Sequence, residues 1–210
     1  MGNRPEKGLL IVFEGTDGTG KSTQLQLLGN YLLEKGYPVV ATREPTDGRY
    51  GQQIRRLYTS RDTCSREEEL ELFLADRREH VTQIITPALN EGKIILCDRY
   101  FLSTAAYQGA IGFDPETILK RNNFAPDPDI ALLFQASLST GLARITTGRG
   151  ETLNDFEQQE NLQKVAAIFA AIDRPYIQTI DAEGSIEEVH HRVLTLVMPL
   201  LTGFPAGTEE

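Results

Sequence analysis

The stretch FEGTDGTGKSTQ, residues 13–24, directly follows the apolar run LLIV. Residues 15–22 match the pattern G-x-x-x-x-G-K-[ST] in full, between a predicted strand and a predicted helix. Glycines let consecutive backbone N–H groups turn inward around a phosphate, and the helix start adds a positive dipole end. We therefore predict that the chain binds a nucleoside triphosphate. The predicted binding residues are Gly15, Thr16, Asp17, Gly18, Thr19, Gly20, Lys21, Ser22 and Thr23.

Two side chains of this loop carry the expected chemistry. Lys21 is predicted to reach the β- and γ-phosphates, and the Ser22 hydroxyl to ligate Mg²⁺. The motif fits a regulatory GTPase, a mechanical ATPase or a small-molecule kinase. The guanine-binding pattern N-K-x-D is absent from the sequence, and mechanical ATPases are usually larger. A kinase needs a second, anion-tolerant site for its acceptor, and several arginines near predicted strand ends favour that class.

The composition limits the remaining classes. The chain has 210 residues and a formal net charge of −9, which disfavours nucleic-acid binding through a basic surface. Its two cysteines, Cys64 and Cys97, lack metal-ligand spacing and fit a reduced setting, with Cys97 as a buried free thiol. No apolar run approaches the roughly 20 residues that span a bilayer, and the N-terminus lacks a signal-peptide core. We expect one cytoplasmic domain over residues 1–210, with no nucleic-acid or membrane partner.

Five continuous apolar runs predict the sheet. They are rich in Val, Ile and Leu without alternation, as in strands covered on both faces. Helical segments lie between them; the longest is predicted over 65–91, with Ser65 and Glu68 as a capping box. The pattern favours a three-layer, doubly wound α/β fold with a five-stranded parallel sheet. The strands are predicted at 9–13, 38–42, 93–97, 130–134 and 176–180.

Charged residues follow the third predicted strand. Asp98 and Arg99 come directly after IILC, where open parallel sheets bind ligands. Asp98 would hold Mg²⁺ or orient the acceptor phosphate, and Arg99 would bind a phosphate; a helix cap and a surface ion pair are the alternatives. Phe73 and Arg77 are four apart and share a helix face, which suits a stacking platform with a donor. From spacing alone, an edge-of-core Phe beside a solvated Arg is favoured.

The ordered set of motifs resembles the thymidylate kinase family from about Gly8 to Leu200. The set comprises FEGxDGxGKST, TREP, FLADR, DRYxxSTxAYQG, APDPD and RGE…FE. The resemblance implies a P-loop kinase that transfers phosphate from ATP, with Mg²⁺, to thymidine monophosphate. It also implies a homodimer formed through apolar helix faces.

The resemblance implies roles for the acceptor site. Arg55 and Arg99 would contact the acceptor phosphate, and Asp17 the sugar 3′-hydroxyl. Phe73 would stack on thymine and Arg77 would donate to its O4, which reverses the preference from spacing. The remaining implied acceptor residues are Glu44 and Pro45 of the acceptor loop, Ser103 and Gln108 near the base, and Tyr107 beneath the deoxyribose.

The resemblance also implies a lid over ATP at about 141–159. Because Gly18 supplies no loop cation, the catalytic arginine would come from the lid, as Arg149, with Arg144 as the second candidate. The loop at Asp181 and Ala182 would flank adenine. Gln135 departs from the family, which usually carries an acid there.

Three hypotheses remain open at this point: a thymidine monophosphate kinase, a related kinase for another nucleotide or nucleoside, and a non-enzymatic ATP-binding module. The paired arginines favour a monophosphate acceptor, whereas Gln135 gives some weight to the third hypothesis. The three histidines, His80, His190 and His191, are expected at the surface or on helix faces.

Overall fold

The computed structural model describes residues 7–58, 64–149 and 155–204, without side chains for 145–149 and 155–158. The described residues form one five-stranded parallel sheet, ordered β2-β3-β1-β4-β5. The strands are β1 (Leu9–Gly15), β2 (Val39–Arg43), β3 (Ile94–Asp98), β4 (Ile130–Gln135) and β5 (Ile177–Asp181). The predicted fold class is confirmed, with strand ends shifted by one or two residues.

Helices cover both faces of the sheet, which explains the unbroken apolar strand sequences. Alternate residues of β1 enter opposite cores: Leu10 and Val12 on one face, Ile11 and Phe13 on the other. The helices are α1 (Lys21–Glu34), α2 (Arg49–Leu57), α3 (Arg66–His80), α4 (Thr86–Asn90), α5 (Phe101–Ala110), α6 (Pro115–Arg121), α7 (Leu138–Arg149), α8 (Asp155–Ala171) and α9 (Ile186–Val197). Cores on both faces make the fold three layers deep.

Local signals set several helix starts, among them the predicted capping box of Ser65 and Glu68. Ser65 caps α3, and Ser185 caps α9, each in a complete capping box with the glutamate three residues on. Asp114 accepts from Thr117 N at the start of α6. The predicted helix 65–91 is not a single α-helix, because a π-helical segment, Val81–Ile85, separates α3 from α4. No helix among the described residues is long and apolar enough to cross a membrane.

The sheet brings the chemistry-bearing segments to one edge. Phe13 of β1 pairs with Asp98 of β3, so the phosphate loop and the Asp98–Arg99 pair leave neighbouring strands side by side. On β1's other side, Gly15 pairs with Phe134, shortly before α7 begins. The carboxyl ends of β1, β3 and β4 therefore lie side by side, at the end of the sheet where parallel sheets bind ligands.

Candidate active site

The phosphate loop requires glycine at particular positions. Gly15, Gly18 and Gly20 have φ of 131°, 78° and 87°, in the region that side chains rarely adopt. A Cβ atom on Gly15 would lie 2.3 Å from the Phe134 carbonyl oxygen, and one on Gly18 would lie 2.2 Å from the Gly141 carbonyl oxygen. The loop thus packs backbone to backbone against β4 and against α7, where the predicted lid begins.

Lys21 is folded back over this loop. Its Nζ donates to the Thr16 carbonyl oxygen at 2.7 Å and lies 3.4 Å from Thr19 Oγ1, and the side chain is buried. Burial lowers the pKa of Lys21 to about 7; nearby Arg99 lowers it further, and three carboxylates partly oppose the shift. An entering triphosphate would give the amine stronger anionic partners.

Ser22 and Asp98, the two predicted metal ligands, are in contact. The Ser22 hydroxyl donates to Asp98 Oδ2 across the gap between α1 and β3. A hydroxyl and a carboxylate side by side are the oxygen donors that Mg²⁺ prefers, so this pair fits the predicted ion. A cleft of about 510 Å³ opens here and runs past Thr42 and Thr46, so the metal-ligand pair and the loop after β2 share one opening.

Arg99 connects the phosphate loop to α5. It has a positive φ of 68°, and its guanidinium donates to Asp17 Oδ1 at 2.8 Å, Gly15 O at 3.2 Å and Ser103 Oγ at 3.1 Å. The Tyr107 hydroxyl donates to the other Asp17 oxygen at 3.0 Å, and burial raises the pKa of Tyr107 to about 12. Four residues predicted for the acceptor, from two separate motifs, therefore form one network.

Glu14 supports this network and was given no role by the sequence analysis. It is fully buried at the end of β1 and accepts from the backbone N–H groups of Tyr100 and Ser103, at 2.9 and 3.2 Å, and from the Ser103 hydroxyl. It therefore caps the start of α5, whose own N-cap residue supplies no side-chain bond. Burial raises the pKa of Glu14 to about 7, although the Ser103 bonds and Arg99 oppose the shift. The sequence signal was an acid inside an otherwise apolar strand.

Arg77 is held by a buried carboxylate. Its Nε and Nη2 lie 2.9 and 2.5 Å from Glu44 Oε2, while Asn122 and Thr104 accept from Nη1 and Nη2 at 2.6 and 2.9 Å. Arg77 is only 1% exposed, so the alternative of a solvated arginine is wrong. Phe73 is half-buried and belongs to neither core cluster, which leaves its ring available.

His80 also contacts this carboxylate. The prediction allowed a surface position, but His80 is 2% exposed, with Nδ1 2.9 Å from Glu44 Oε1 and Nε2 2.8 Å from Thr42 Oγ1. Its partners lie in and just after β2, 36 and 38 positions away in sequence. This separation hid the contact from local pattern analysis.

Hydrogen bonds from two helices hold the acceptor loop, residues 44–47, which follows β2. Asp76, 2% exposed, accepts from Thr46 N at 2.8 Å and Thr46 Oγ1 at 2.6 Å. Arg55 donates to the Pro45 carbonyl oxygen and to Asp47, both at 3.0 Å. The loop is thus bound to α3 and to α2, and Arg55 lies on it.

Gln108 lies on α5, about two turns from the helix start, and is buried. Within the part of the chain that the structure describes, its Oε1 has no hydrogen-bond partner. A buried oxygen without a partner is costly, which suits a position that a ligand completes.

Of the residues predicted for the ATP side, the structure describes the side chains of Arg144 and Asp181 but not that of Arg149. Arg144 donates to the carbonyl oxygens of Ala182 and Gly184, at 3.0 and 3.3 Å, so it holds the loop predicted to flank adenine. Asp181 is exposed at the end of β5. Arg149 is the last residue of α7, and the structure describes its backbone only. The predicted lid, 141–159, covers most of α7 and the start of α8, with 150–154 outside the description.

The fold and this site define a P-loop nucleotide-binding protein, with the Arg99–Asp17–Tyr107 cluster beside the phosphate loop. Residues 13–193 match the model of a family described as thymidylate kinase. A thymidylate kinase from Desulfotalea psychrophila is 59% identical over 201 residues, covering 96% of this chain and 98% of the relative. One from Akkermansia muciniphila is 49% identical, covering 89% and 90%. A probable thymidylate kinase from Pyrococcus horikoshii is 42% identical, covering 94% and 99%. The chain belongs to the thymidylate kinase family.

Proposed function

We propose that the protein transfers the γ-phosphoryl group of ATP to thymidine monophosphate, giving thymidine diphosphate for dTTP supply. One observation carries the proposal: the Arg99–Asp17–Tyr107 network lies directly on the phosphate loop that holds Lys21. A cation and an acid next to a triphosphate site suit an acceptor with both a phosphate and a sugar hydroxyl. The names of the relatives support the same substrate.

On the donor side, backbone N–H groups of residues 15–20 cradle the β- and γ-phosphates, and Lys21 neutralises charge as the phosphoryl group moves. Ser22 and Asp98 would hold Mg²⁺, whose charge offsets that of the phosphates when it is bound. Arg144 stabilises the loop that flanks adenine near Asp181. Thr23, exposed in the first turn of α1, completes the loop's polar surface.

On the acceptor side, Arg99 and Arg55 bind the monophosphate and hold it in line with the transferred group. Asp17 accepts from the sugar 3′-hydroxyl, and Tyr107 packs beneath the deoxyribose. Phe73 stacks on thymine, and Arg77 donates to its O4. Glu44 and Pro45 shape the loop around the acceptor, with Ser103 and Gln108 lining the base side.

The lid supplies the remaining cation. Gly18 offers no charge, and a Cβ at this position would meet the Gly141 backbone, so the loop cannot easily carry a basic side chain here. We assign the role of transition-state cation to Arg149, brought in by segment 141–159. Arg144 is already bonded to residues 182 and 184, which makes it the weaker candidate.

We further propose that the chain acts as one cytoplasmic kinase domain over residues 1–210 and as a homodimer, without nucleic-acid or membrane partners. The net charge of −9 argues against a polyanion partner. The homodimer rests on the resemblance. Analytical ultracentrifugation at micromolar concentration tests it: a sedimentation mass near twice 23.4 kDa is expected, and a mass near 23.4 kDa would contradict it.

A coupled ADP-release assay over an acceptor panel tests the activity. The panel contains thymidine, uridine and adenosine monophosphates in deoxy and ribo forms, together with thymidine itself. We expect kcat/KM to be highest for thymidine monophosphate and turnover of unphosphorylated thymidine to be negligible. Preference for another acceptor would overturn the substrate assignment, and ATP binding without turnover would indicate a binding module.

A further inference from the structure

The polar residues of α3 form a stripe that faces the acceptor loop. Asp76, Arg77 and His80 are spaced i, i+1 and i+4, all are buried, and all bond to residues between Thr42 and Thr46. Burying three ionisable side chains is costly unless each is paired. The proposed function uses Arg77 alone, so His80 has no assigned purpose.

The Glu44 carboxylate is fixed at both of its oxygens. Oε2 accepts two N–H groups from Arg77, and Oε1 is 2.9 Å from His80 Nδ1. A carboxylate paired with arginine only accepts, so the proton of the imidazole lies on Nδ1. His80 Nε2 then faces the Thr42 hydroxyl at 2.8 Å. The imidazole thus connects β2 to the carboxylate and stops it from rotating.

Fixing Glu44 decides which donor of Arg77 remains for a ligand. Of the five guanidinium N–H groups, two go to Glu44, one to Asn122 and one to Thr104. Among the contacts of the described residues, one N–H on Nη1 is left. If Glu44 turned, the guanidinium would lose its two bonds to Oε2 and would be held by Asn122 and Thr104 alone, so the direction of that last donor would no longer be fixed.

We propose that His80 is a positioning residue for the nucleobase site, acting through Glu44 to orient Arg77. The proposal rests on the proposed function, because it assigns the acceptor base to Arg77. It deepens that function by placing a determinant of acceptor binding at a residue whose described hydrogen bonds go only to Glu44 and Thr42. It predicts an effect on the monophosphate alone, because His80 contacts none of the phosphate-loop residues in the described contacts.

Two amide variants separate the two bonds of the imidazole. His80→Asn places an amide nitrogen near the position of Nδ1 and keeps the bond to Glu44. His80→Gln places its amide near Nε2 and keeps only the bond to Thr42. His80→Leu removes both bonds, and Thr42→Val removes the partner of Nε2 alone.

The assay is steady-state kinetics with both substrates, together with calorimetric titration of thymidine monophosphate. For His80→Leu and His80→Gln we expect the acceptor KM and Kd to rise about tenfold, the scale of one buried hydrogen bond to a charged group. His80→Asn and Thr42→Val should stay within about threefold of the unaltered protein. The KM for ATP should change less than about twofold in all four variants.

Melting temperatures show which variants fold. If His80→Leu does not fold, the comparison of His80→Asn with His80→Gln still tests the proposal. Equal behaviour of the Asn and Gln variants, or a parallel rise in the KM for ATP, would overturn the positioning role. Unchanged acceptor KM in all variants would overturn it too. Turnover of thymidine monophosphate by the unaltered protein tests the proposed function separately, and the titration needs no turnover.

Discussion

ATP binding is predicted to take up a proton at Lys21. The Lys21 amine is buried against the Thr16 carbonyl oxygen, and burial lowers its pKa to about 7. The phosphates of ATP favour the charged amine, so binding raises this pKa again. The amine is therefore charged below pH 7 in both states, but above pH 7 it must gain a proton when ATP binds.

The magnitude follows from the titration curve. At pH 8.5 a group with a pKa near 7 is only about 3% charged, so uptake approaches one proton per site. By linkage, ATP affinity then falls about tenfold per pH unit between pH 7.5 and pH 9. Phosphate monoesters lose their last proton near pH 6, so the nucleotide itself contributes little in this range.

Calorimetry without acceptor, in two buffers of different ionisation enthalpy, measures the uptake directly. Lys21→Met is the control and should show neither the uptake nor the pH slope. Glu14→Gln should keep both, which excludes the neighbouring buried acid as the source. Uptake near zero at pH 8.5, with affinity independent of pH, would refute the inference that the buried amine is neutral before ATP binds.

Four further variants test other parts of the site. Arg149→Ala should lower kcat about 10³-fold with acceptor KM changed a few-fold, whereas Arg144→Ala should mainly raise the KM for ATP; steady-state kinetics with the opposite pattern would exchange their roles. Phe73→Ala should weaken binding of thymidine monophosphate by roughly 1–3 kcal/mol, the scale of one base–aromatic stack, without affecting ATP, and an equal loss for ATP in calorimetry would argue that Phe73 only packs. Glu14 keeps its proton in the folded protein up to about pH 7 but ionises near 4.5 when unfolded, so its contribution to stability is present at low pH and lost as pH rises from 4.5 through 7. Relative to Glu14→Gln, the wild-type unfolding free energy in urea should therefore fall by up to about 3 kcal/mol over this range, and parallel pH profiles for the two proteins would contradict this.

The fold was predictable because strands covered on both faces need continuous apolar sequences, and the cap residues of α3, α6 and α9 act locally. The ends of the strands were less predictable, because hydrogen bonding to the neighbouring strands determines where each strand ends. β1 continues to Gly15, where it meets Phe134 of β4, and no feature of residues 9–15 indicates that partner.

The candidate site was predictable where a motif fixes the backbone, as in the phosphate loop and the Asp98–Arg99 pair. It was not predictable where partners are far apart in sequence. Glu14 and Ser103 are 89 positions apart, and His80 and Glu44 are 36 apart. The helical spacing of Phe73, Asp76, Arg77 and His80 was visible, but spacing alone does not distinguish a buried polar stripe from a solvated face.

Identifying both reaction products tests whether this chain phosphorylates thymidine monophosphate. The purified protein is incubated with ATP, Mg²⁺ and thymidine monophosphate, and the nucleotides are separated by anion-exchange chromatography. Thymidine diphosphate and ADP should appear in equal amounts, and Lys21→Ala should give neither, because the phosphates lose the cation of the loop. ADP without thymidine diphosphate, or no product from the unaltered protein, would contradict the assignment of this chain as a kinase of thymidine monophosphate.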